Sequence, residues 1–151
     1  MNSTYCCAIY ISKATLPMTD VVIKNILKKS RANNLERKIS GYLYYDDGHF
    51  LQYIETDIAQ TLDKLIVVLE KDQRHQIINC FKSCFTGNKR FLEWSMGQID
   101  KNQLINLNLE QQIMNYMKWL KSQNHNVDMN SSKIWNMVDL LASHKKVLQL
   151  I

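Results

Sequence analysis

The chain has 151 residues, enough for one domain of ordinary size with a real core but hardly for a second domain, so any binding or catalytic machinery has to sit inside that unit. Its 19 Lys and Arg against 14 Asp and Glu leave a net charge of +5 spread along the chain, which favours an anionic ligand only weakly and predicts no direct nucleic-acid binding. The N-terminus lacks a basic region followed by an uninterrupted apolar core, and no segment approaches the length of a membrane span, so we expect a cytoplasmic protein without membrane contact.

Tyr5 to Ser12 reads as a first strand. Pro17 with Thr19 or Asp20 then sets up a helix whose Ile23, Ile26, Leu27 and Ser30 fall on one face, ending near Asn33 and Asn34. Ile39 to Tyr45 is a second strand, Asp46-Asp47-Gly48 a turn, and His49 to Glu55 its hairpin partner. A second helix from about Asp57 to Lys71 repeats Ile58, Leu62, Leu65, Ile66 and Leu69. Gln76 to Phe85 is a fourth strand, Gly87-Asn88 a turn, and Phe91 to Ile99 a fifth strand.

This order predicts an α+β fold: a ferredoxin-like, five-stranded mixed sheet with both helices on one face. The other face, where Leu51 and Tyr53 point, needs a cover. Two amphipathic segments supply a candidate. Leu109 to Leu120 carries Ile113, Met114, Met117 and Leu120, and Ser132 to Ile151 carries Ile134, Met137, Val138, Leu141, Val147 and Leu148. With Asn124 to Ser132 as a polar connection, residues 100–151 read as a two-helix cap packed on the sheet of residues 1–99.

Cys6 and Cys7 are adjacent, and Cys80 and Cys84 have no His in ligand spacing, so no metal site is expected and reduced thiols are the simpler account. The most informative position is Gln52. Within Phe50-Leu51-Gln52-Tyr53-Ile54-Glu55, period-two alternation puts its amide on the face of Phe50 and Ile54, and a buried amide demands hydrogen-bonding partners. The phenol of Tyr10 and the Trp94-Ser95-Met96 segment are placed in the same way, which suggests a sheet face built around a planar polar ligand. The alternative is Gln52 in solvent on an edge strand.

Residues 4–99 carry six motifs in order: Ala8-Ile9-Tyr10, Ser30-Arg31-Ala32-Asn33-Asn34, Ile39-Ser40-Gly41, Asp47 through Glu55, Asp72-Gln73-Arg74-His75, and Phe91 through Met96. With these the segment resembles the BLUF family of flavin-binding blue-light sensors. The resemblance implies FAD held non-covalently between the two helices, with no enzymatic activity. It implies Tyr10 as electron and proton donor to the flavin, Gln52 as the switching amide, and Asn34 as a partner of the ring. A phenol is neutral near pH 7 and can lose an electron and a proton together; a glutamine carries donor and acceptor on one long arm.

Ser30, Arg31, Asn33, Arg74 and His75 are further cofactor-binding candidates, with Trp94 and Met96 beside them. Arg31 also reads as a helix-end surface charge, and Arg74-His75 as a cap on the second helix. The chain departs from the family pattern at Ile11-Ser12, where two small hydroxyl residues are usual, and at Thr56, where a glycine is usual. The resemblance further implies a downstream protein partner, such as a transcriptional regulator, and allows a homo-oligomer. An acylphosphatase-type hydrolase shares the order of elements, but Arg31 and Asn34 follow a helix and do not sit in a glycine-rich loop after the first strand.

Overall fold

A computed structural model describes residues 3–92, 94–98, 109–123 and 127–149. Residues 1–99 and 100–151 form two compact units.

The first unit runs β1 (Ser3–Ala14), α1 (Asp20–Glu36), β2 (Ser40–Asp46), β3 (His49–Thr56), α2 (Ala59–Lys71), β4 (His75–Gly87) and β5 (Trp94–Gln98). The sheet order is β4-β1-β3-β2-β5, antiparallel across the first four strands, with β5 parallel to β2. The β2–β3 hairpin closes through Asp47 and Gly48, at φ 46° and 76°; paired positive φ values match the twist of the flanking strands and explain the Asp-Gly signal.

Thr19 caps α1, its Oγ1 accepting from the Val22 amide at 3.2 Å. The helix runs two residues past the expected Asn34 because Arg37 still donates to the Asn33 carbonyl at 3.1 Å. Lys38, at φ 57°, then reverses the chain so that the Ile39 amide reaches the Asn34 carbonyl at 2.8 Å. Thr56 ends β3, and its Oγ1 accepts from the Ile58 amide at 3.2 Å, so the residue that replaces the usual glycine forms the turn that leads to α2.

Ile23 and Leu27 of α1, Leu62, Leu65 and Ile66 of α2, and Ala8, Leu43, Phe50 and Ile54 of the sheet form one core, which places both helices on the same sheet face. On the other face Ile9, Ile11, Leu51 and Tyr53 are also buried.

Between β1 and β4 the register passes from Ile11↔Asn79 to Ser12↔Ile77, leaving Ile78 as an extra residue. A one-residue slip exchanges the faces of everything beyond it. Cys80, opposite Tyr10, and His75, opposite Ala14, therefore share the helix-covered face despite their unlike parity.

Two expectations need correction. Cys6 and Cys84 are not reduced thiols: they are opposite one another on neighbouring strands, with Cα atoms 4.1 Å apart, and form a disulfide. A sequence separation of 78 hides that pairing; Cys7 and Cys80 remain free thiols. The last strand starts at Trp94, not Phe91, because the amides of Arg90 and Phe91 are taken by the carboxylate of Glu55. Its expected end at Ile99 lies outside the described residues.

The second unit contains α3 (Leu109–Gln123) and α4 (Val127–Gln149), which contact one another. Ile113, Met114, Met117 and Leu120 are buried on α3, and Ile134, Val138 and Leu141 on α4. α4 starts at Val127, inside the stretch expected to connect the helices; Asn124 to Asn126 and Ile151 lie outside the described residues, as do the side chains of Val147 and Leu148. Among the described residues no helix is long and apolar enough to cross a membrane.

The left-handed backbone at Lys38 suits glycine better than lysine. Lys38→Gly is expected to raise the unfolding free energy by about 0.5–1 kcal/mol, measured by denaturant titration; equal or lower stability would contradict the turn assignment.

Candidate functional site

Tyr10 of β1 and Gln52 of β3 are direct partners across an antiparallel pair. Both are buried, and both line a cleft between α1, α2 and the sheet. The sheet also contributes Leu43 and Phe50. Met18, Ile26 and Ser30 come from in and before α1, Leu69 from the end of α2, and Asp72, Arg74 and His75 from the turn into β4. The result is a slot with mainly apolar walls and an amide and a phenol on its floor.

Burial pushes the Tyr10 phenol well above its ordinary range, so it stays neutral at any pH near 7. The neighbouring Cys80 thiol is pushed up to about 11, again chiefly by burial.

His75 is held from both sides. Its Nε2 is 2.8 Å from the Leu69 carbonyl and its Nδ1 is 2.8 Å from Ser12 Oγ. A carbonyl can only accept, so Nε2 carries the hydrogen, and in the neutral ring Nδ1 accepts from the serine hydroxyl. The ring thereby satisfies a C-terminal carbonyl of α2 and stands edge-on to Tyr10, with centroids 6.1 Å apart. The cap and the cleft contact are therefore one arrangement, and the hydroxyl of the divergent Ile11-Ser12 pair is used to orient the imidazole. Arg74 makes a forked pair with Asp72, Nε–Oδ1 3.0 Å and Nη2–Oδ2 2.6 Å, which holds the Asp72 carboxyl below the usual carboxylate range.

Of the predicted site residues, the cleft gathers Tyr10, Ser30, Gln52, Arg74 and His75. Arg31 and Asn34 line a second cavity with Leu35, Lys38, Ile39, Ser40, Asp57, Lys89 and Leu92. Asn34 is buried there, one helical turn, or about 6 Å along the axis, from Ser30. Asn33 is exposed and lines neither space.

Trp94 and Met96 are placed by backbone register alone, opposite Gly41 and Leu43. Leu43 is also opposite Gln52, so Cys80, Tyr10, Gln52, Leu43 and Met96 form one row across all five strands. Met18, Ile26, Leu43, Phe50, Leu69 and Asp72 also line the cleft and were not among the predicted site residues. Leu43 was accessible in principle, since it is the hairpin partner of Gln52. Among the described residues no cluster of His, Cys, Asp or Glu could hold a metal ion.

The BLUF family model, described as sensors of blue light using FAD, matches residues 5–97. Solved structures share the fold. BlrB in its dark state is 22% identical, with a TM-score of 0.57 over 93% of this chain and 98% of its own. BlsA in its photo-activated state is 24% identical, with a TM-score of 0.58 over 89% and 94%. A bacterial light-regulated adenylyl cyclase is 22% identical, with a TM-score of 0.64 over 80% of this chain but 36% of its own, so this chain spans about a third of the cyclase's length. Among curated proteins no relative matches.

A thiol held at about 11 attacks alkylating reagents slowly near pH 7. Iodoacetamide labelling of Cys80, followed by mass spectrometry, should quicken about tenfold per pH unit between pH 7 and 10 as thiolate accumulates. A rate that levels off near pH 9 would show a thiol that burial has not shifted.

Proposed function

The chain belongs to the BLUF family, whose cofactor is FAD, and we propose that it senses blue light through the hydrogen bonds of Tyr10 and Gln52. The observation that carries this reading is their placement: a neutral buried phenol and a buried amide, opposite one another on the floor of an apolar-walled cleft. A planar ring with polar edges fits such a slot. Bound FAD supplies blue-light absorption and an excited ring that accepts an electron.

The protein's part is placement and proton management. Tyr10 holds its proton on Oη in darkness and would be the group that gives an electron to the bound ring and that proton towards the Gln52 carbonyl opposite it, both returning as the network re-forms. Gln52 presents an N–H donor and a carbonyl acceptor from one arm, so its contacts to Tyr10 and to the ring can re-form with donor and acceptor exchanged. His75, with both nitrogens engaged, keeps one edge of Tyr10 packed without adding a loose proton acceptor. Ser30, Arg31, Asn34, Arg74, Trp94 and Met96 complete the set we assign to the cofactor; Asn33, exposed and outside both spaces, is left out of it. Asn34, buried in the second cavity, would serve the ring edge, and Arg74, paired to Asp72, would contact the cofactor from the lining of the cleft.

The same reading takes residues 1–99 as the sensor and residues 100–151 as a helical extension, in a cytoplasmic protein that is not itself an enzyme. It takes the output as a protein contact with a transcriptional regulator or another signalling protein, or with a second copy of the chain. For light to act, the two states of the Tyr10–Gln52 network must favour different arrangements of that contact surface.

Four outcomes test the core of this reading. Denaturation should release FAD intact, identified by chromatography, and blue light should shift the bound flavin's absorption slightly to the red without net reduction, with thermal recovery in darkness. Gln52→Leu should abolish the shift while flavin stays bound, and Tyr10→Phe should abolish the normal cycle. An undiminished shift in the Tyr10 variant would remove the donor assignment.

A further inference from the structure

Glu55 lies three residues beyond Gln52 on β3, on the face away from the cleft, and is fully buried. Four donors converge on its carboxylate. Oε1 accepts from the Phe91 amide at 2.9 Å and the Ser40 hydroxyl at 3.3 Å; Oε2 accepts from the Tyr53 hydroxyl at 2.7 Å and the Arg90 amide at 3.2 Å. The Arg90 side chain folds back over the same group: Nη1 donates to Tyr53 Oη at 2.9 Å, and the guanidinium lies 4.4 Å from the Phe85 ring centroid. A buried carboxylate of this kind is tolerated because its lone pairs are filled, and the filling fixes two consecutive backbone amides, at residues 90 and 91.

Just beyond those amides the chain enters β5, Trp94–Gln98, at the edge of the sheet and, among the described residues, paired only with β2. A short edge strand with one neighbour is weakly held by its own ladder. Its register nevertheless decides where Trp94 and Met96 stand relative to Gln52. The clamp joins the strand that carries Gln52 to the segment that leads into β5.

We propose that Glu55 and Arg90 are positioning residues of the photosensor: the Glu55 carboxylate, holding the amides of Arg90 and Phe91 while Arg90 seals it, anchors β5 in register and so sets the surroundings in which Gln52 rearranges. This role rests on the photochemical reading of Tyr10 and Gln52. It adds a coupling between β3 and β5 that runs over the sheet face opposite the cleft.

Glu55→Gln offers one acceptor oxygen to four donors and points an N–H₂ group at the rest, which releases at least one backbone amide. Tyr53→Phe is the comparison: it removes the phenol's bond to Glu55 Oε2 and the bond the phenol accepts from Arg90 Nη1, but leaves both backbone amides on the carboxylate. The measurements are hydrogen exchange of the peptide spanning residues 94–98 in FAD-bound protein kept dark, and the rate of dark recovery after a blue flash.

In Glu55→Gln, exchange at residues 94–98 should rise about tenfold while β1 and β3 keep their protection, and recovery should quicken by about the same factor. In Tyr53→Phe both should stay within about twofold of the parent. If Glu55→Gln does not fold, Glu55→Asp, which keeps the charge but retracts the carboxylate by one methylene, is expected to show the same local loss. Unchanged exchange at residues 94–98, or a rise spread evenly over the sheet, overturns the clamp. A parent protein with no red shift overturns the photochemical reading instead, and the dark exchange experiment is unaffected by that result.

Discussion

The pairing of β1 with β3 is the constraint on which the site depends. It puts Tyr10 opposite Gln52, and the same ladder puts Ala8 opposite Ile54 and Ser12 opposite Phe50. Because side chains alternate strictly along both strands, a slip of one residue would carry the phenol and the amide to opposite faces and leave both buried without each other. The two-residue Asp47–Gly48 turn sets β3 against β2, and the apolar residues around the pair penalise any other register. The chemistry is thus a consequence of strand register, which few local changes can alter without unfolding the sheet.

A second geometric device works on the neighbouring strand. The extra residue in β4 returns His75 to the helix-covered face, where the end of α2 offers the Leu69 carbonyl and β1 offers the Ser12 hydroxyl. One imidazole therefore ties α2, β1 and β4 together beside Tyr10. The Cys6–Cys84 disulfide ties β1 to β4 a second time, four residues along each strand from the Tyr10–Cys80 pair. Tyr10 sits on a strand fixed on both sides.

Local period made part of the structure legible in the sequence. Alternation gave the face of Gln52, Asp-Gly gave the hairpin, and the helical stripe placed Ile23, Ile26, Leu27 and Ser30 together. Features that depend on distant register were not legible. Nothing near Cys6 points to Cys84, and nothing near Ile78 announces a bulge. Asn33 and Asn34 are neighbours in a motif, yet a rotation of about 100° between successive helical residues buries one and exposes the other. Nothing in the sequence marks Glu55 as a buried acceptor, because its four donors come from Ser40, Tyr53, Arg90 and Phe91, and only the folded chain brings the last two near.

The two faces of β3 follow different electrostatic rules. On the cleft face, burial holds Tyr10 and Cys80 in their neutral forms, so a change of state there has to be a change in hydrogen-bond direction and not a lasting change of charge. On the other face the carboxylate of Glu55 is saturated by donors from two separate segments of chain, including the backbone, and any tilt of β3 would lengthen some of those contacts at the expense of others. A neutral switch by itself exerts little force at a distance, because reorienting one amide changes only short-range interactions. Set three residues from a carboxylate that grips the approach to an edge strand, it needs only to displace the backbone slightly. Under the proposed photochemistry, β5 is then the element through which an exchange of hydrogen bonds at Gln52 would become a displacement of backbone.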